Sequence, residues 1–207
     1  IPVYADNGAN MAVIGEYFFG IGRGSRNIVY INCGVGIRTG VISSGVLIRT
    51  INNSEDAFAH MIVDAGGEPC SCGNSGCVES YASILKITKK FTDKNKKLKN
   101  INYIDVCNLA EKKESTAFSI IMDAAMHFGI GLSNYIRLLN PYLIILSGPL
   151  IKNSRLFYDE CRKTAIEKCH IDGSSIVFNR GGYFKNKSIA VGSSAMAVEM
   201  LINPKWF

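Results

Sequence analysis

The sequence predicts an α/β domain, and three observations carry that prediction. Continuous apolar runs at Ile28 to Asn32 and Tyr142 to Leu146 have the length and composition of strands buried on both faces. Longer stretches carry apolar residues at helical spacing, most clearly Ser115 to Leu139, where Phe118, Ile121, Ala125, Phe128, Leu132 and Ile136 recur. The two periodicities alternate along 207 residues without an internal repeat or a linker, so the chain reads as one domain.

Taken in order, Ile1 to Ala5 reads as a short strand ending at the polar turn Asp6-Asn7-Gly8. Asn10 has the side chain of a helix cap, and a helix is expected to run from it to about Phe18, with Met11, Ile14 and Phe18 on one face. The strand at 28–32 leads into a glycine-rich turn, Cys33 to Gly40. Val41 to Ser44 and Val46 to Arg49 then form a hairpin about Ser44-Gly45. Helices follow over Val78 to Phe91, Tyr103 to Glu111 and Ser115 to Leu139. Asn140-Pro141 ends the last of them, because the residue before proline avoids helical angles. The strand Tyr142 to Leu146 runs into Ser147-Gly148-Pro149. A helix from Ser154 to about His170, a strand at Ile176 to Phe178 and a small-residue helix from Ile189 to Leu201 complete the chain.

Composition narrows the function. The residues are 47% apolar and 19% charged, an ordinary balance for a globular domain, and no run of eighteen apolar residues offers a membrane span. Ile1-Pro2-Val3-Tyr4 is neither an initiator Met nor a signal peptide, so the chain reads as cut from a longer protein. The net charge of +6 is scattered apart from one patch, Lys89-Lys90 with Lys94, Lys96, Lys97 and Lys99. No aromatic residues interleave with those lysines, as a groove for single-stranded nucleic acid needs, so the patch reads as a solvated loop between helices. Among seven cysteines, Cys33, Cys107, Cys161 and Cys169 sit in apolar patterns as small hydrophobes. That usage points to a reducing compartment and hence the cytoplasm.

The other three cysteines lie in one short segment, Cys70-Ser-Cys72-Gly-Asn-Ser-Gly-Cys77. Zinc in a structural role takes thiolate and imidazole donors in a closed tetrahedron. Cys70 and Cys72 approach from one turn, and Gly73 and Gly76 let the backbone curl back to deliver Cys77. The alternatives are unrelated thiols or a disulfide, but a Cys-x-Cys bridge is strained and the compartment reducing. A structural Zn2+ is therefore the expected cofactor. One position stays vacant, and His60, across the Gly66-Gly67 turn, is its candidate. Spacing alone leaves His60 open, since a lone histidine is often just a satisfied polar residue. His127 and His170 fall in helix patterns with no ligand partners nearby.

The knuckle with Val78-Glu79-Ser80-Tyr81 resembles the ROK family of bacterial sugar kinases and sugar-responsive repressors, whose hallmark is a Gly-His pair followed by Cys-x-Cys-Gly-x-x-Gly-Cys-x-Glu. Cys70 to Glu79 supplies that second motif in full. The resemblance runs through the chain: Asp6-Asn7-Gly8-Ala9-Asn10 with Gly15-Glu16, the phosphate loop at Gly34-Val35-Gly36-Ile37-Arg38-Thr39-Gly40, Asn140-Pro141 through Gly148, and Ala190-Val191-Gly192-Ser193. It implies the actin-like ATPase fold of sugar kinases, here the large C-terminal lobe with an inserted zinc knuckle, and it implies His60 as the fourth zinc ligand. It also implies sugar contacts from Asn7, His60 and Glu79.

The same resemblance exposes departures from a kinase. The catalytic Asp, which takes the proton from the attacking sugar hydroxyl, falls at Gly8. In the phosphate loop, glycines Gly34, Gly36 and Gly40 remain, but Val35 replaces a Thr and Arg38 a Gly. Pro149 removes an amide donor from the second nucleotide segment. Ala57 stands where the family has a sugar-binding Glu, with Glu55 and Asp56 nearby as possible substitutes. One lost charge-assisted hydrogen bond, roughly 1.5–3 kcal/mol, weakens sugar binding about ten- to hundredfold or changes which sugar fits. The expectation is a non-catalytic effector-binding domain of a sugar-responsive repressor, similar to the xylose repressors, with a fragment of a glucokinase or N-acylhexosamine kinase as the alternative. Its expected partners are a small sugar, a second copy of the chain, and operator DNA reached only through an N-terminal helix-turn-helix outside this chain.

Overall fold

The structure, a computed structural model, describes residues 3–49, 57–98, 100–170 and 175–202. Five strands form one mixed sheet in the order β3-β2-β1-β4-β5. The central strand β1 (Ile28–Cys33) pairs antiparallel with β2 (Ile37–Ser43) and parallel with β4 (Leu143–Ser147). On the outside, β3 (Val46–Ile48) pairs antiparallel with β2, and β5 (Val177–Arg180) parallel with β4. Strand alternation divides the side chains between two cores. Val29, Ile31, Cys33, Ile144 and Leu146 enter the larger one, and Ile28, Tyr30, Leu143 and Ile145 the smaller.

The smaller core is covered by α1 (Gly8–Phe19) and α8 (Ser188–Ile202), which pack on each other. Their contact is backbone-close: a Cβ on Gly192 would stand 1.6 Å from the Met11 carbonyl oxygen. On the other face lie α2 (Val78–Ala82), α3 (Ile84–Lys94), α4 (Tyr103–Glu111), α5 (Ser115–Leu139), α6 (Pro149–Asn153) and α7 (Arg155–Cys169). The 25-residue α5 is long and apolar enough to cross a membrane by length and composition, but its apolar stripe is the centre of the larger core. Phe128 stacks edge-on against Phe58 and Phe157 there.

Several expectations are corrected. Asn7, not Asn10, caps α1: its side chain accepts the Asn10 amide at 2.7 Å, while the Asn10 side chain turns back to Asp6. Val3 to Ala5 is not a strand, and Ile1 and Pro2 lie outside the described residues. The turn after β1 is shorter than expected, since pairing resumes at Ile37. The helix expected from Val78 to Phe91 is two helices, because Ser83 adopts an extended backbone (φ −76°, ψ 148°) and caps α3 by accepting the Lys86 amide. A short helix, α6, was not expected. The hairpin about Ser44-Gly45 forms as expected, with positive φ at both residues, the geometry that matches strand twist.

Candidate functional site

The knuckle is built by two antiparallel bridges, Ile62 to Cys77 and Pro69 to Ser75, which fold residues 60–77 into a tight loop on the larger helical face. Gly76 sits at φ +75°, and a Cβ there would meet the Asp64 carbonyl oxygen at 1.6 Å, so no other residue fits. Gly73, at φ +94°, turns the chain between Cys72 and Asn74. The fold thereby gathers His60, Cys70, Cys72 and Cys77, whose ligand atoms all lie within 4.8 Å of one another. The four come together as the sequence predicts.

Their spacing fits a tetrahedral ion. Bonds of about 2.3 Å to sulfur and 2.0–2.1 Å to nitrogen place tetrahedral donors roughly 3.5–3.8 Å apart. His60 Nδ1 is 3.5 Å from Cys70 Sγ, and Cys72 Sγ is 3.7 Å from Cys77 Sγ. All seven cysteines are free thiols. Burial pushes the Cys77 thiol up to about 12, with the neighbouring sulfurs adding to it, whereas a hydrogen bond with the Asn74 backbone holds Cys72 below its ordinary value. Three thiolates packed this closely would repel one another, and a cation among them would relieve that repulsion. The donor set suits zinc.

A clamp beneath the knuckle joins it to α5. The Tyr81 hydroxyl donates to Asp64 at 3.0 Å and accepts the Glu68 amide at 3.0 Å. Its ring stacks on His127 at 3.7 Å, and the Lys90 ammonium lies 4.6 Å from the ring centre. His127, which lies outside the Cys3His cluster, packs here against Tyr81.

The remaining site residues lie at the sheet edge beside the knuckle. Glu79 is joined by its backbone to the His60 segment, its amide donating to the Ala59 carbonyl at 2.9 Å. Its carboxylate Oε2 accepts the Ile37 amide at 2.9 Å and lies 3.7 Å from Arg38 Nη1. Asn7 lines a cavity of about 280 Å³ with Asn10, Thr39, Arg49, Ala57 and Met61. His60 and Glu79 are not among its lining residues; the backbone bond from Glu79 to Ala59 ties those two segments together, and Asn7 lines a separate cavity. Glu55 and Asp56, the substitutes considered for the missing carboxylate, lie outside the described residues.

On the phosphate side, Gly34 and Gly36 form the turn between β1 and β2, closed by Gly34 N–H to the Gly36 carbonyl at 3.1 Å. Gly40 lies inside β2 and permits the close approach of α1, since a Cβ there would reach the Ala9 carbonyl oxygen at 2.4 Å. Gly148 holds φ +96° against the end of β1, and Pro149 opens α6. Beside them Asn32, Tyr103, Ser147, Lys152 and Lys185 border an open groove.

One buried group escaped sequence reasoning. Glu16 of α1 is fully buried, and its carboxylate accepts hydrogen bonds from the amides of Ile21, Tyr183 and Phe184 and from the Ser188 hydroxyl. It ties α1 to the segment that borders the groove. Its partners lie up to 172 residues away, so only its place in the Gly15-Glu16 motif marked it.

Five strands in this order, flanked by helices on both faces, define a lobe of the actin-like ATPase fold. The chain belongs to the ROK family, whose profile matches residues 1–199. The xylose repressor of Bacillus subtilis strain 168 is 31% identical over 201 residues, covering 97% of this chain and 50% of that protein. A glucokinase of Halalkalibacterium halodurans is 30% identical over 165 residues, covering 73% of this chain and 50% of the enzyme. The crystal structure of a ROK hexokinase from Thermus thermophilus superposes with a TM-score of 0.85 at 22% identity, over 98% of this chain and 67% of that one. The chain spans about half the length of the curated relatives it matches.

Proposed function

We propose that this chain is the effector-binding part of a sugar-responsive transcriptional repressor, which binds a sugar beside a structural zinc ion and does not phosphorylate it. The contrast between the kept Cys3His cluster and the altered catalytic position carries the reading. The zinc ligands and Glu79 are all in place, while the position of the catalytic carboxylate is Gly8.

Asp6 does not substitute for the missing base. Its Oδ1 accepts the Asn7 amide and the Asn10 side chain, each at 2.7 Å, and its Oδ2 pairs with Arg49 at 2.6 Å. A carboxylate so engaged is fixed away from an incoming hydroxyl, whereas a general base must reach the proton it removes. On the sugar side, His60 faces Cys70 through Nδ1, and the family resemblance implies that the same ring also touches the sugar, so that one ring would serve metal and sugar together. The similarity to a xylose repressor along nearly the whole chain supports regulation, and D-xylose is the first sugar to try. The similarity to a glucokinase supports the alternative of a kinase fragment.

Calorimetry on the full-length protein against pentoses, hexoses and acetylated hexosamines tests the proposal. Saturable binding of at least one sugar is expected. No binding across the whole panel overturns the sensor in favour of a dimerisation module without a sugar ligand.

A further inference from the structure

The departure at Arg38 does more than remove a glycine. Its guanidinium folds back over the β1–β2 turn, donating to the Ile37 carbonyl at 3.2 Å, and a Cβ built on Gly36 would lie 2.8 Å from Nη1. The space above Gly36, where a bare backbone admits a phosphate, is thus filled by the protein's own cation. The same Nη1 lies 3.7 Å from Glu79 Oε2, which also accepts the Ile37 amide. Both contacts use one carboxylate oxygen. Oε1 makes no contact of this kind with the described residues, and the Glu79 side chain is only 17% exposed, so its orientation is set by this pair.

We propose that Arg38 is a positioning residue of the ligand site: its guanidinium and the Ile37 amide hold Oε2 of Glu79, leaving Oε1 to a ligand hydroxyl, and the same pose shuts the phosphate loop to nucleotide. The Ile37 amide bond to the carboxylate at 2.9 Å, with the Arg38 charge 3.7 Å from the same oxygen, keeps Oε2 turned toward the loop. The space that a kinase loop offers its nucleotide is taken here by a side chain of the protein itself. Emptying the loop and fixing the ligand-binding Glu are then one event. The Glu79 half of this inference rests on the sugar-sensing reading, and the nucleotide half does not.

The test uses the full-length protein and four variants: Arg38→Gly, Arg38→Lys, Val35→Thr, and Val35→Thr with Arg38→Gly. Thermal melting confirms that each is folded. Nucleotide binding is read with trinitrophenyl-ATP and Mg2+, competed by unlabelled ATP. The expected result is at least tenfold tighter ATP-competed binding in the double variant than in Val35→Thr alone. Equal binding in those two, or tight binding by the unaltered protein, overturns the closed-loop half.

Sugar binding is read by calorimetry with D-xylose, or with whichever panel sugar the unaltered protein binds. Arg38→Gly is expected to weaken it at least fivefold, and Arg38→Lys to recover part of that loss. Unchanged affinity in Arg38→Gly overturns the positioning half. Failure of the unaltered protein to bind any sugar contradicts the sensor itself, and the nucleotide comparison still decides the loop.

Discussion

At His60 one imidazole faces a cluster of thiols through Nδ1, and every account of the ligand site depends on that orientation. Replacing it, His60→Ala, is expected to lower bound zinc from about one ion per chain to near zero and to abolish the sugar response. Elemental analysis and calorimetry on the same sample check both. Gly76 sets a second requirement, because its positive φ and the Asp64 carbonyl exclude any Cβ. Gly76→Ala therefore carries about 1–2 kcal/mol of backbone strain in addition to the clash, and its zinc affinity is expected to fall at least tenfold in a chelator competition. The three cysteines of the cluster were legible in the sequence because they lie in one short segment with turn glycines between them, whereas spacing alone left His60 open and only the family resemblance pointed to it. Arg38 and Glu79 were not legible as a pair. They lie 41 positions apart on a strand and a helix, and nothing in either residue names the other until the fold brings them together.

Helix ends were the least legible elements, for a physical reason. Asn7 and Asn10 are equally good caps, and the choice fell to Asp6, which bonds the Asn10 side chain and leaves Asn7 to cap. Ser83 breaks a run whose apolar residues continue on both sides, so periodicity alone cannot find the break. The cap of α5 provides a pH-dependent prediction. Glu114 accepts the Ala117 amide at 2.7 Å and the Thr116 amide at 3.2 Å, and the Ala117 bond above all holds its carboxyl below the ordinary value of 4.5. A depressed pKa in the folded state gives stability that is present above the unfolded value and lost as pH falls through the folded one. Glu114→Gln is therefore expected to lower the melting temperature near neutrality, with the gap to the unaltered protein closing as pH falls below about 4.5, measured as melting temperature against pH. Glu16 makes a larger contribution to the α1–α8 layer. Glu16→Ala removes the acceptor of three partly buried amides, while the Ser188 hydroxyl keeps the Lys185 carbonyl at 3.0 Å, and the variant is expected to cost at least about 2 kcal/mol in urea unfolding.

For the whole molecule, the α/β class, the buried strands β1 and β4 and the long core helix could be read from the apolar pattern, because buried strands and an amphipathic stripe are set locally. The joining of the knuckle to α5 through Tyr81 and His127 could not, since stacking depends on tertiary placement. That clamp predicts how metal loss propagates. Structural zinc contributes roughly 10–16 kcal/mol to the folding of small sites, so chelation is expected to raise amide exchange sharply in residues 60–77. The central strands β1 and β4, held by the sheet, are expected to keep their protection, and hydrogen exchange with and without chelator measures both. The kept knuckle beside the emptied catalytic position is the feature on which sensing rests. Its most direct test is ADP formation by the full-length protein from MgATP in the presence of a sugar that it binds. The account predicts binding with no ADP above the blank. Sugar-dependent ADP formation that disappears in Glu79→Gln would contradict it.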